Sequence, residues 1–303
     1  MCIRDSYKGA LLDAITHYEA ALAHWPAGDA QGRAQILCHL GECLWMVGRH
    51  ERAVDALQTA FDLFRAARHP QGAGAAQRLL GRAYWEMSQP QKAHRSLQRA
   101  LAILESEPQA EELAWALAGL GAYHMHLGDY DEAIRLDERA LAIARRLDAE
   151  ALTIQCLCDL GSALTGKGDW SGLDLERESL AMALAANRAH DAGRAYLYLA
   201  EGLTYLGHYE EARQTLQEAL AYTQRLHLTF VRTGVTRQLA ELDWQTGRWQ
   251  DALSRLFAVN DASADEQAAG LATVYRSLLL GRIYNDLGHT EPASALLDEA
   301  LAL

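Results

Sequence analysis

Residues 113–141 read LAWALAGLGAYHMHLGDYDEAIRLDERAL, and the rest of the chain restates this stretch about seven times. Leu113, Leu117, Leu120 and His124 recur at helical spacing on one face, with Ala114, Gly121 and Met125 beside them. Gly121 falls where a missing side chain lets a partner helix come close. Gly128 then ends the helix, because glycine enters the left-handed conformation without a Cβ clash. Asp129 stands at the N-cap of a second helix, which from Tyr130 buries Ala133, Ile134, Ala140 and Leu141. Asp137 falls on the same face and is its one misfit. Two helices of this length cannot enclose a core alone, so each hairpin must stack on its neighbours and the stable object is a solenoid.

The restatement is regular. Leu-Gly pairs stand at 40–41, 80–81, 120–121 and 160–161, with a period of 40 residues. The next step is one residue shorter, and the pair becomes Leu199-Ala200, then Leu239-Ala240, then Leu280-Gly281. Turns follow at Gly48-Arg49-His50, Ser88-Gln89-Pro90, Gly128-Asp129-Tyr130, Gly168-Asp169-Trp170, Gly207-His208-Tyr209, Gly247-Arg248-Trp249 and Gly288-His289-Thr290. Residues 260–263 form the clearest longer connection. The Leu-Gly pair, the Gly-Asp-Tyr turn, Ala133, Ala140 and Leu141 together resemble a tetratricopeptide repeat. The expected fold is all-α, a right-handed α-α superhelix of about seven and a half hairpins, with residues 7–303 as a single solenoid. Ala14-Ile15, Tyr18, Ala21-Leu22 and Pro26 match only the second helix of a unit. The opening MCIRDS fits no helix pattern and resembles a translated transposase mosaic-end adapter, so residues 1–6 are set aside as an artefact. The expectation is a chain truncated at both ends.

Composition agrees with this reading. Of five prolines, Pro26, Pro70 and Pro108 lie between repeats, Pro90 enters a second helix, and Pro292 sits in the first turn of the last one, where a missing N–H costs little. The net charge of -12 argues against independent binding to nucleic acid or an anionic membrane, since phosphate contacts need surplus Lys and Arg. A protein or peptide is the expected partner, with a small inducer as a second ligand class. Five cysteines without paired spacing, and no leader or long apolar span, point to a reduced cytoplasmic setting.

Chemistry-bearing patterns give way to simpler readings. Gly161 to Gly168 reads G-x-x-x-x-G-K-G, but glycine stands where a phosphate loop needs Ser or Thr for magnesium, and no strand precedes it. His124 and His126 are two apart on a helix and point in divergent directions, so they cannot share a metal; His124 is expected in the hairpin core and His126 at the groove. Cys156 and Cys158 fail for the same reason. His50, His208 and His289 sit in turns as solvated caps. No Ser, His and acid set is placed on a scaffold that could orient it, so the chain is read as non-enzymatic, without cofactor or metal.

The stretches GDWSGLDLERESLAMAL (168–184), LGHYEEARQTLQEALAYTQRLHL, QLAELDWQTGRWQDAL and LGRIYNDLGHTEPASALLDEALAL look like the repeat region of large ATP-dependent LuxR-type transcriptional regulators. In that family such repeats lie between an ATPase and a helix-turn-helix and sense an inducer or partner. The resemblance implies a sensing or interaction module within a parent regulator. A free-standing scaffold, or the regulatory arm of an enzyme, are the alternatives. First helices would line a concave groove, and projecting the register places there Glu42, Trp45, Arg78, Arg82, Trp85, Glu86, His126, Arg194, Tyr198, Glu201, Tyr205, Arg237, Glu241, Trp244 and Arg282. Arg and aromatic residues are the types that dominate interface hot spots. Arg135 and Arg213, on second helices, are expected on the opposite surface.

Overall fold

A computed structural model describes residues 6–26, 28–106, 111–226, 228–260 and 271–302, and among them helices are the only regular elements. α1 (Ser6–Ala23) precedes seven helix pairs. These are α2 (Ala30–Met46) with α3 (His50–Ala66), α4 (Pro70–Glu86) with α5 (Pro90–Leu104), and α6 (Glu111–His126) with α7 (Tyr130–Arg146). Then come α8 (Glu150–Gly166) with α9 (Ser171–Ala185), α10 (Ala189–Tyr205) with α11 (Tyr209–Arg225), α12 (Thr229–Gln245) with α13 (Trp249–Asn260), and α14 (Leu271–Asp286) with α15 (Thr290–Ala302). The chain divides into two compact units, Met1–Leu160 and Gly161–Leu303. The adapter-like hexapeptide lies outside the described residues except for Ser6, as do Pro108 and the connection at 261–263.

Each hairpin is closed by one device. Gly48, Gly128, Gly168, Gly207, Gly247 and Gly288 all adopt φ between +76° and +88°, so the first helix stops and the chain reverses without a Cβ clash. The second full hairpin does the same with Ser88 at φ +56°, a conformation less favourable for a residue with a side chain. Pro70 and Pro90 both open their helices, where the missing N–H has no intrahelical partner to lose.

Packing within a hairpin depends on small first-helix residues. A Cβ added to Gly41 would lie 2.5 Å from Leu57, and one at Gly81 would lie 2.7 Å from Leu97, so these glycines admit the second helix. Fully buried Leu44, Leu80 and Phe64 fill the interior of the first unit. In the second, Leu203, Leu216, Val235 and Leu239 do so, joined by buried alanines at Ala212 and Ala219. Close approach of backbones with a leucine-alanine filling is the interior density that a stack of two-helix units requires.

Four expectations are corrected. Asp129 does occupy the N-cap of α7, but its carboxylate caps no backbone N–H; Oδ2 instead meets Nδ1 of His124 at 3.0 Å. His208 at the N-cap of α11 makes no capping bond either, and its ring stands edge-on to Trp170 at 4.6 Å. His50 is no solvated cap, since its Nδ1 is buried and burial lowers the ring's pKa. Arg213 is not a surface residue: its Nη1 meets Asp243 at 2.5 Å and its Nη2 donates to Thr246 Oγ1 at 3.1 Å, with the side chain 10% exposed. A guanidinium can leave the solvent there because Asp243 of the neighbouring first helix, 1% exposed, needs a counter-charge.

Candidate functional site

The first helices of the first unit carry a connected row of rings and guanidiniums. Arg82 of α4 lies over the Trp45 ring of α2 at 4.4 Å, within the range of a cation–π contact. One turn along α4, Trp85 faces α6, stacking on His126 at 5.3 Å and meeting Tyr123 edge-on at 5.7 Å. Arg78, one turn back, lies over the Trp115 ring of α6 at 5.5 Å and pairs with Glu112 at 3.5 Å. Helical spacing explains the row, because residues 78, 82 and 85 of one helix lie on a single face. Of the other residues expected here, Glu42 is exposed on α2, and Glu86 acts electrostatically on His50.

Charge states follow from the surroundings. Desolvation lowers the pKa of His126, with Asp159 working against that and Arg82 with it, so the ring stacks as a neutral imidazole near pH 7. Burial pushes the nearby Cys38 thiol up to about 12, against the opposing charge of Arg78, which leaves it a neutral thiol and not a nucleophile.

The second unit repeats the pattern more openly. Arg194 lies over Tyr198 at 6.0 Å, Arg237 pairs with Glu241 at 3.7 Å, and Arg282 of α14 lies over Trp244 of α12 at 5.8 Å. Trp244 also donates from Nε1 to Asp286 at 2.7 Å. Tyr205 is 65% exposed, and Glu201 is exposed beside it on α10. Sequence reasoning missed Trp115, Tyr123 and Asp286. The signal for Trp115 was available, since it stands one helical turn before the position equivalent to Arg78 and within reach of a long side chain.

A cleft of about 870 Å³ lies on the second-helix side of the first unit, lined by His94, Gln98, His124, Glu132 and Arg135 among others. Arg135 is held there by both carboxylate oxygens of Glu132. Gly161 to Gly166 belongs to α8 and Gly168 to its closing turn, so the phosphate-loop look-alike is a repeat helix. Among the described residues no cluster of His, Cys, Asp and Glu could hold a metal ion, and no helix is long and apolar enough to cross a membrane.

Comparison with known proteins agrees with the fold of stacked helical hairpins. Residues 6–66, 33–106 and 112–185, together more than half of the chain, match the family model described as tetratricopeptide repeat. Residues 183–227 and 240–303 match that of anaphase-promoting complex subunit 5. No curated protein matches the chain. Among solved structures, NprR in complex with its cognate peptide NprX superposes with a TM-score of 0.67 at 14% identity, over 96% of this chain and 88% of that one. A Rap protein complexed with competence and sporulation factor gives 0.62 at 14%, over 97% of both chains. A signal-transduction ATPase with a tetratricopeptide repeat sensor from Pyrococcus horikoshii gives 0.59 at 18%, over 94% of this chain but 43% of that one.

Proposed function

Because the chain belongs to the tetratricopeptide repeat family, we propose that it is a non-enzymatic interaction module that captures a peptide or protein segment along its first-helix face. The observation that carries this is the row Trp45, Arg82, Trp85 and His126, in which rings and a guanidinium from three successive first helices hold one another in place. Side chains already fixed lose little freedom when a partner docks, and these are the residue types on which binding energy concentrates. Arg78 and Arg82 on one face of α4, in a chain with net charge -12, favour a partner that brings a carboxylate. Two structures of similar fold hold a peptide or factor, which supports capture of the same kind here.

The finer reading makes this segment the sensing part of a bacterial ATP-dependent regulator of the LuxR type, acting in the cytoplasm. The likeness to an ATPase with a repeat sensor supports it. An upstream phosphate loop and a downstream helix-turn-helix in the same reading frame would establish that parent. A catalytic neighbour would make this the arm of an enzyme instead, and neither would leave a scaffold.

Capture itself is testable with carboxylate-rich peptides selected from a random library against the full chain. Arg82→Ala and Arg237→Ala should each weaken binding by about 1 to 3 kcal/mol, the range for losing a charged contact, without changing helical circular dichroism. Arg135→Ala should leave it intact. Loss with Arg135→Ala and retention with the other two would move the binding face to the second helices.

A further inference from the structure

The side chain that each second helix sets against the first-helix glycine follows a pattern with one interruption. It is leucine in the first two full hairpins, Leu57 on Gly41 and Leu97 on Gly81, and leucine again in the last, Leu297 on Gly281. Of the four hairpins between, two keep the glycine and set an acid on it, Asp137 on Gly121 and Glu176 on Gly161, and the other two carry Ala200 and Ala240 in its place. Both acids are fully buried.

Glu176 of α9 is closed in from two helices besides its own. A Cβ added to Gly161 of α8 would lie 2.7 Å from Glu176 Cγ, and one added to Gly202 of α10 would lie 2.7 Å from Oε2. The two glycines therefore make the space the carboxyl occupies. Among the described residues, Oε2 is buried without a hydrogen-bond partner, and Oε1 has only Thr165 Oγ1 of α8, at 3.5 Å. The single hydroxyl proton of Thr165 is better placed toward the Ser162 carbonyl at 3.0 Å. That leaves the Thr165 oxygen as an acceptor, a need that a protonated carboxyl can meet and a carboxylate cannot. Of the charged groups acting on Glu176, Glu201 of α10 opposes ionisation. Arg177 of its own helix favours it, but that guanidinium is engaged outside with Glu211 at 2.6 Å and Asp174 at 3.4 Å.

We propose that Glu176 is a proton-operated latch: protonated, it lets the end of α8, α9 and α10 close on one another, and ionised, it must be hydrated and so loosens them. Gly202 follows Glu201 in the chain, so the latch lies directly beneath the candidate binding face of the second unit. Burial, reinforced by Glu201, pushes the carboxyl from its ordinary 4.5 up to about 9. Because the folded value lies above the unfolded one, the folded chain keeps a proton that the unfolded chain has already released. The stability this group permits is therefore complete below about 4.5 and falls as pH rises toward about 9.

Two measurements on the full chain test the latch. In urea denaturation between pH 6 and 8, the unfolding constant of the chain should rise about tenfold per pH unit relative to Glu176→Gln, the effect of one linked proton. Glu176→Leu, which places there the leucine used by the first two and the last full hairpins, should flatten the profile in the same way. The second measurement needs no variant to fold: the side-chain carboxyl carbon of Glu176, followed by NMR, should titrate above pH 7. A midpoint below pH 5, or parallel denaturation profiles for the chain and Glu176→Gln, would overturn the proposal.

Discussion

The first two full hairpins and the stretch α9 to α13 of the second unit fill their interiors with different materials. In the former, leucine meets glycine across a dry contact, Leu57 on Gly41 and Leu97 on Gly81. In the latter, carboxyls enter the interior: Glu176 between two glycines, and Asp243 of α12, whose oxygens meet Arg213 at 2.5 Å and Arg255 at 2.7 Å. A dry contact depends on volume alone and is indifferent to pH. A buried carboxyl must be neutralised by a proton or by a cation, and the second unit uses one of each. The difference shows that a solenoid held by local interfaces can keep its backbone plan while individual interfaces become responsive to solution conditions.

The largest expected effect lies in the polar interior. Arg213→Ala strips Asp243 of its most buried counter-charge and should cost about 3 kcal/mol, the lower end for breaking a buried ion pair, because Arg255 remains. Urea midpoints read by circular dichroism would check this, and an unchanged midpoint would return Arg213 to the surface. In the dry interior, Gly81→Leu drives a side chain into Leu97 and should cost about 1 to 3 kcal/mol through overpacking. Thermal melting of that variant beside the parent gives the comparison. The loss should be the same at pH 6 and pH 8, because no titrating group is involved. The smallest effect is a gain. Ser88→Gly gives the one non-glycine hairpin turn the residue its φ of +56° favours, and should raise stability by up to about 1 kcal/mol.

Sequence made the hairpin plan legible because its signals are local. A glycine at a fixed offset, a small residue at a contact and a helical apolar period need no knowledge of what lies thirty residues away. The misreadings all involve partners from another helix. Arg213 looked like a solvent-facing charge because nothing in α11 reveals that Asp243 will be buried beside it. Asp129 looked like a cap because its competing partner, His124, lies across the turn. The helix start that a histidine does cap was not anticipated: the Gly72 N–H donates to Nδ1 of His69 at 2.9 Å. The candidate face was legible one helix at a time. Which ring meets which guanidinium, as Arg82 meets Trp45, depends on how neighbouring first helices stack, and the repeat period does not encode that.

Oxidative footprinting with and without a selected carboxylate-rich peptide tests the binding face most directly, because it reads individual side chains. Trp45 and Trp85 line the proposed face, whereas Trp170, 57% exposed at the start of a second helix, does not. The account predicts that saturating peptide protects Trp45 and Trp85 from oxidation and leaves Trp170 as reactive as before. Protection of Trp170 with no change at Trp45 and Trp85 would contradict it.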